Sequence, residues 1–155
     1  MRRILLILLL VLAPVTVGFA SIDQDDFTIN GVNLLTSNYD DVITKLGKPS
    51  KQKSDEQGEK LTYLTYGGLH IWTAGDGQIS YMRIDGSDYQ TKRGVKVGGT
   101  PYKVVKEYGQ PLKQTIHGHS YYIYKVDVQA KDRLIFDMSE GYVSQIIFTR
   151  VVDNP

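Results

Sequence analysis

The chain of 155 residues contains no cysteine. That absence excludes a disulfide scaffold, a thiolate-bound zinc or iron–sulfur centre, a cysteine nucleophile and a lipid anchor on an N-terminal cysteine. Charge of one sign is also missing. Eighteen Lys and Arg stand against seventeen Asp and Glu, a formal net charge of +1, so no basic face for nucleic acid is indicated. Histidine is scarce (three residues) and tryptophan occurs once. The sequence holds no Gly-x-Ser-x-Gly elbow, phosphate-binding loop, dinucleotide fingerprint or His-Glu-x-x-His pair, so no catalytic residue is assigned and no cofactor is expected.

The one long apolar run lies at the start. Arg2 and Arg3 precede Ile4–Leu12, Pro14 breaks the run, and Gly18 and Ala20 put small residues before Ser21. These are the three parts of a secretory leader, and the run is short of the roughly 18–20 residues that span a bilayer. Residues 1–20 are therefore read as a signal peptide and excluded from the fold, with an uncleaved membrane anchor as the alternative. The remaining 135 residues carry 16 basic and 17 acidic side chains. The expected location is secreted, periplasmic or cell-envelope, with membrane contact only if the leader stays on.

The rest of the chain reads as one unit written twice. Ser37–Pro49 recurs as Gly99–Pro111 at a constant spacing of 62, aligning Val42 with Val104, Gly47 with Gly109 and Pro49 with Pro111. Gly77-Gln78-Ile79-Ser80 recurs as Gly141-Tyr142-Val143-Ser144 at a spacing of 64. Each short segment predicts a helix. In the first, Ser37 caps with Asp40 at the capping-box position, and Tyr39, Val42, Ile43 and Leu46 form an apolar stripe. In the second, Thr100 caps, Pro101 takes the first helical position, and Val104, Val105 and Tyr108 repeat the stripe. Gly47 and Gly109 suit the left-handed residue after a helix, and Pro49 and Pro111 block continuation.

Three β-rich runs follow each helix: Leu61–Tyr66, Leu69–Thr73 and Gln78–Ile84, then Ser120–Val126, Arg133–Met138 and Tyr142–Arg150. Gly67-Gly68, Gly75-Asp76-Gly77 and Glu140-Gly141 supply the turns. A short strand is expected before each helix, within Thr28–Leu34 and Lys92–Val97. Asp55–Glu59 reads as a solvated loop and Asp85–Asp88 as the linker between copies. The expected fold is α+β: two tandem (β)-α-β-β-β repeats, at residues 27–86 and 89–150, with an antiparallel sheet and short helices on one face. Units near 60 residues are marginal alone, so the two are expected to form one cooperative body.

Tandem units with a helix closing in Leu46-Gly47-Lys48-Pro49 or Tyr108-Gly109-Gln110-Pro111, followed by an antiparallel meander and preceded by an export signal, resemble the β-lactamase-inhibitor-protein-like (BLIP-like) fold. A related single unit occurs in the SmpA/OmlA-type outer-membrane assembly lipoproteins. The resemblance implies the fold and a non-catalytic binding role. It implies no particular target, since the disulfides of the inhibitors and the lipidated cysteine of the lipoproteins are both missing here.

Side chains alternate across a strand. Ser80, Met82 and Ile84 align with Ser144, Ile146 and Phe148, and this set is assigned to the helix-facing core with Leu64, Tyr66, Leu69, Ile71, Tyr122, Tyr124, Leu134 and Phe136. The other face then holds Tyr63, His70, Trp72, Tyr81 and Arg83 in the first copy, and Tyr121, Ile123, Lys125, Arg133, Ile135, Asp137 and Gln145 in the second. Trp, Tyr and Arg are the types enriched at interface hot spots. Tyr63, His70, Trp72, Tyr81, Arg83, Tyr121 and Arg133 are therefore the candidate partner-binding residues. The same aromatics would also serve as cross-strand pairs in a sheet without a partner.

His117-Gly118-His119 would place two imidazoles on one side of a strand, but no third ligand is evident, and no metal site is assigned. Asp85-Gly86-Ser87-Asp88 and Gly75-Asp76-Gly77 fit turns better than calcium loops. The function expected is an exported non-catalytic protein-binding module, inhibitor-like, with another extracellular or envelope protein as partner. The alternatives are an envelope assembly factor tethered by its leader, and a small hydrolase or metal or ligand carrier with a deep pocket.

Overall fold

The computed structural model describes residues 22–54, 61–127 and 130–150; the leader and the Asp55–Glu59 loop fall outside them. Helix α1 (Tyr39–Leu46) begins one residue later than the sequence suggests. Asn38 caps it by accepting from Asp41 N at 3.0 Å, and the Asp41 carboxylate accepts from Asn38 N at 3.0 Å. Ser37 is not free to cap, because its hydroxyl already accepts from Asn33 N at 3.1 Å. Helix α2 (Pro101–Tyr108) starts as expected, with Thr100 accepting from Lys103 N at 3.2 Å. Both helices stop at a glycine of positive φ, Gly47 (78°) and Gly109 (74°). The hydroxyl of Tyr66 donates to Gly47 O at 3.0 Å, and that of Tyr124 to Gly109 O at 2.9 Å. The repeat thus reaches down to one side-chain-to-backbone tie per helix end.

Thr28–Leu34 is not one strand but a small hairpin of β1 (Thr28–Ile29) and β2 (Val32–Asn33). It turns at Asn30-Gly31, both at positive φ, the pairing that a tight type I′ turn demands. Lys92–Val97 forms no strand; a single bridge, Gln90 to Lys96, holds a loop that turns at Gly94. Each helix is followed by four strands rather than three. The additional ones, β3 (Lys51–Ser54) and β7 (Leu112–Ile116), are exposed along almost their whole length. Edge strands lack a buried face, so they carry no alternating apolar signal for a sequence to display.

The other strands are β4 (Thr62–Tyr66), β5 (Leu69–Thr73), β6 (Ile79–Ile84), β8 (His119–Lys125), β9 (Arg133–Asp137) and β10 (Gln145–Thr149). All eight from β3 to β10 join one antiparallel sheet in the order β3-β4-β5-β6-β10-β9-β8-β7. The order is the same from either edge once the halves are exchanged. At the centre β6 meets β10 with Arg83 opposite Ile147, Met82 opposite Phe148 and Ile84 opposite Ile146. Exchanging the halves swaps Met82 with Ile146 and Ile84 with Phe148, so the approximate two-fold axis passes between Arg83 and Ile147.

Helices α1 and α2 contribute Val42, Val104 and Tyr108 to a core formed with Leu64, Tyr66, Leu69, Ile71, Met82, Ile84, Tyr124, Leu134, Phe136, Ile146 and Phe148. The helix-facing set read from the sequence is therefore correct except at the serines. A bulge between Trp72 and Thr73 pairs Thr73 with Ile79, so Ile79 fills the core position and Ser80 does not. In the second half Val143 is likewise buried and Ser144 is not. The N-terminal segment adds Ile22, Phe27, Ile29, Val32 and Leu34 to the same core. It is held by Arg93, whose guanidinium grips the buried Asp26 carboxylate at 2.7 and 2.5 Å and also donates to Glu107 O at 2.9 Å.

Burial pushes the Tyr108 phenol up to about 12, because a phenolate would be desolvated there. A raised pKa means that the folded state keeps a proton which the unfolded chain releases near pH 10. Stability is then full below pH 10 and declines between pH 10 and 12, by about 2–3 kcal/mol from this residue. Urea midpoints at pH 9 and pH 11.5 measure the decline, and equal midpoints would show that Tyr108 is solvated.

Candidate functional site

The face away from the helices carries the candidate residues. Tyr63 lies opposite Trp72, and Trp72 opposite Tyr81, across β4, β5 and β6. Their rings are 4.7 and 4.9 Å apart, the second contact edge-to-face. In the next row His70 lies opposite Arg83. The Arg83 guanidinium sits 5.7 Å over the Trp72 ring, a cation–π placement. All of these except His70 are half-buried, as expected of one wet sheet face.

His70 stands on the same face, in register with Arg83. It is only 9% exposed and its ring is fully engaged. Nε2 lies 3.0 Å from one oxygen of Asp85, and the Tyr63 hydroxyl lies 2.5 Å from Nδ1. A neutral ring carrying its proton on Nε2 satisfies both bonds, donating to the carboxylate and accepting from the phenol. Arg83 Nη2 reaches the other Asp85 oxygen at 3.2 Å. Tyr63, His70, Asp85 and Arg83 thus form an unbroken polar chain whose two ends, Tyr63 and Arg83, both touch Trp72. His70 holds Tyr63 and Asp85 in place and leaves little of its own ring exposed. Asp85 belongs to the segment expected as the linker between copies. Its signal was the Arg83-x-Asp85 spacing, which puts both side chains on one side of an extended strand.

The internal symmetry supplies a comparison within the molecule. The row through the axis runs Lys51, Thr65, His70, Arg83 and then Ile147, Ile135, Ile123, Leu112. The first four positions map onto the last four when the halves are exchanged. One half of this row is polar and the other is wholly apolar. The other half closes its sheet with isoleucines at the positions of His70 and Arg83, and an ion pair as exposed as Arg83–Asp85 adds little stability. The polar chain is not something the architecture demands.

Tyr121 and Arg133 lie on the same face but in the other half. Tyr121 packs with Tyr81 against Ile123, Ile135 and Ile147, which form a second small apolar cluster. This part of the face is covered by its own side chains rather than wet. The local rings supply enough apolar surface to bury three isoleucines in the absence of a helix. Burial raises the Tyr81 phenol, partly offset by Arg83, and burial with help from Asp137 raises that of Tyr121. Arg133 stands opposite Lys125 and Thr149.

A depression of about 330 Å³ lined by Leu61, Trp72, Ser80, Tyr81 and Arg83 opens beside the ring cluster. A larger one, about 610 Å³, lies at the end of the first half between Tyr39, Gln52, Thr62 and Thr73–Gly77. Among the described residues its lining holds Asp40 and Asp76 and no cation. His117 occupies the β7–β8 turn at a φ of 48°, so its ring does not align with that of His119 along a strand. His119 Nδ1 instead meets the Ser139 hydroxyl at 3.0 Å. Among the described residues no three His, Asp or Glu side chains converge on a common metal position.

The fold is thus an α+β arrangement with two short helices on an eight-stranded antiparallel sheet. By its sequence the chain belongs to the DUF4309 family, a domain of unknown function, whose model matches residues 21–148. The structure is similar to that of a DUF4309 family protein, YjgB, from Bacillus subtilis, with 18% identity over 84% of this chain and 87% of that one and a TM-score of 0.50. Weaker likenesses include yfeY from Escherichia coli, at 17% identity, 80% and 97% coverage and a TM-score of 0.47. Another is an extracellular protein containing an SCP domain from Bacillus anthracis, at 10% identity, 83% and 48% coverage and a TM-score of 0.48. No curated protein matches the chain. Among the described residues no helix is long and apolar enough to cross a membrane.

Proposed function

We propose that this chain is an exported, non-catalytic protein-binding module that engages another extracellular or envelope protein through the open sheet face. The observation that carries the reading is the ring and cation cluster of Tyr63, Trp72, Tyr81 and Arg83. It is held rigid by a polar chain that the symmetry-related half does without. Rigid aromatics and a positioned arginine give up little side-chain entropy on association, which is why such clusters dominate interface energetics. Export is supported by the three-part leader, and an inhibitor-like mode of action by the BLIP-like resemblance of the tandem units.

The test begins with a partner captured from the exported and envelope proteins of the source organism and then purified. Calorimetry on the binary pair is expected to show Trp72→Ala weakening the complex about 30-fold, roughly 2 kcal/mol. The double variant His70→Ile with Arg83→Ile installs the residues of the symmetry-related half. It is expected to unfold within about 1 kcal/mol of the parent and still lose affinity. Parental affinity in both variants, each confirmed as folded, would remove this face from the interaction.

A further inference from the structure

An edge strand presents unpaired backbone N–H and C=O groups that can template a further strand, and charged side chains along the edge guard against it. The two ends of the large sheet differ in this respect. β3 reads Lys51-Gln52-Lys53-Ser54, with a lysine at every second position. β7 reads Leu112-Lys113-Gln114-Thr115-Ile116. Its one charge is drawn inward, with Lys113 Nζ lying 5.1 Å over the Tyr122 ring of β8. Among the described residues β7 has no neighbour in the sheet besides β8. Leu112 to Thr115 are exposed, Leu112 at 57%, and Ile116 is half-buried.

The turn between β7 and β8 fixes which backbone groups are free. His117 and Gly118, at φ of 48° and 86°, make a two-residue turn, so Ile116 and His119 exchange hydrogen bonds. Alternation then points the N–H and C=O of Lys113 and Thr115 outward. Ser120, opposite Thr115, agrees: its carbonyl accepts from Met138 N at 2.7 Å, on the side away from β7.

A second β7 running antiparallel bonds to these groups in three registers. Lys113 against Lys113 opposes like charges. Thr115 against Thr115 leaves Leu112 opposite Gly118 and Ile116 opposite Gln114. Lys113 against Thr115 sets Gln114 against its own copy on a two-fold axis, with Leu112 opposite Ile116 on both sides of it. The two Lys113 side chains then stand diagonally, each over its own Tyr122. β3 has no comparable register. Pairing it with itself about Gln52 sets Lys51 against Lys53, and about either lysine sets that lysine against its copy. Pairing β7 with β3 of another copy opposes Leu112 or Ile116 to a lysine, which disfavours open-ended chains.

We infer that the β7 edge is a homodimer interface, at which two copies of this chain pair their β7 strands antiparallel about Gln114 into one continuous sheet. The molecule already contains such a joint, because β6 and β10 unite its halves about an approximate two-fold axis. The new axis stands perpendicular to the sheet, so the Tyr63, Trp72, Tyr81 and Arg83 clusters of both copies face the same side. The inference goes beyond the binding-module reading and stands whether or not those clusters engage a partner. A seam one strand long falls at the small end of specific interfaces, so the dimer is weak.

Sedimentation equilibrium of the chain from Ser21 onward, from about 5 µM to about 1 mM, is expected to show monomer and dimer and no larger species, with a Kd on the order of 100 µM. Gln114→Glu and Gln114→Lys each set like charges across the axis and should weaken the dimer about fivefold. An equimolar mixture of the two sets opposite charges there and should dimerise at least as tightly as the parent. Gln114 is exposed, so both variants should keep the parental Tm. Gln52→Glu, at the other edge of the sheet, should leave association unchanged.

A chain that stays monomeric across this range would leave the edge to a strand of another protein and overturn the inference. So would a dimer that both single variants leave intact, since its seam would lie elsewhere. A mixture no tighter than either variant alone would also overturn it, by placing the axis away from Gln114.

Discussion

Arg93→Ala is expected to lower the unfolding free energy by about 3–5 kcal/mol, the cost of stranding a buried carboxylate. Asp26 is 1% exposed and receives two guanidinium bonds from Arg93. With the arginine removed, the donor left to that carboxylate is the Asp23 backbone N–H at 2.9 Å. The loss extends further, because Arg93 also donates to Glu107 O and lies 4.7 Å over the Tyr108 ring. One side chain therefore joins the N-terminal segment to the C-terminal end of α2. The double change Asp26→Leu with Arg93→Leu, which removes both charges together, should recover most of the loss. By contrast the neighbouring pair Lys92–Asp25 is exposed, and Lys92→Ala should change little. Urea unfolding at 25 °C decides the matter: a loss below about 1 kcal/mol for Arg93→Ala would mean that water reaches Asp26.

Phe136→Ala is expected to cost about 3–5 kcal/mol by leaving a cavity in the middle of the second half. Phe136 is fully buried, edge-on to Tyr124 at 5.9 Å and 5.3 Å from Tyr108. Tyr108 and Tyr124 also touch, at 5.4 Å, so the three rings form a closed triangle joining α2 to β8 and β9. The symmetry-related position is Ile71, a smaller residue that is also fully buried. Phe136→Ile should accordingly be tolerated much better than the alanine change. A drop in the urea midpoint with an unchanged m-value would confirm a packing loss within an intact fold.

The repeat, both helices, six of the eight strands of the large sheet and nearly the whole helix-facing core were legible from spacing and alternation. Those signals arise where burial selects side chains. β3 and β7 escaped because an edge strand with sequence Lys-Gln-Lys-Ser is selected for the backbone it covers, not for an apolar face. The Thr28–Asn33 hairpin was hidden by its brevity, two residues in each arm.

The site was half legible. Period-two alternation placed Tyr63, His70, Trp72, Tyr81 and Arg83 on one face. It could not show that the His70 ring is tied at both nitrogens to Tyr63 and Asp85, nor that Ile147 joins Ile123 and Ile135 beneath Tyr81 and Tyr121. Those facts depend on which strands become neighbours, above all on β6 meeting β10.

That central pairing governs when the molecule can exist at all. The last strand in the sequence occupies the middle of the sheet, and Arg150 donates to Leu35 O across 115 positions of chain. A chain appearing from its N-terminus keeps β6 as a bare edge until residue 149 is available, so an incomplete chain has no finished globule to adopt. Contacts of such long range also slow the search for the native pairing.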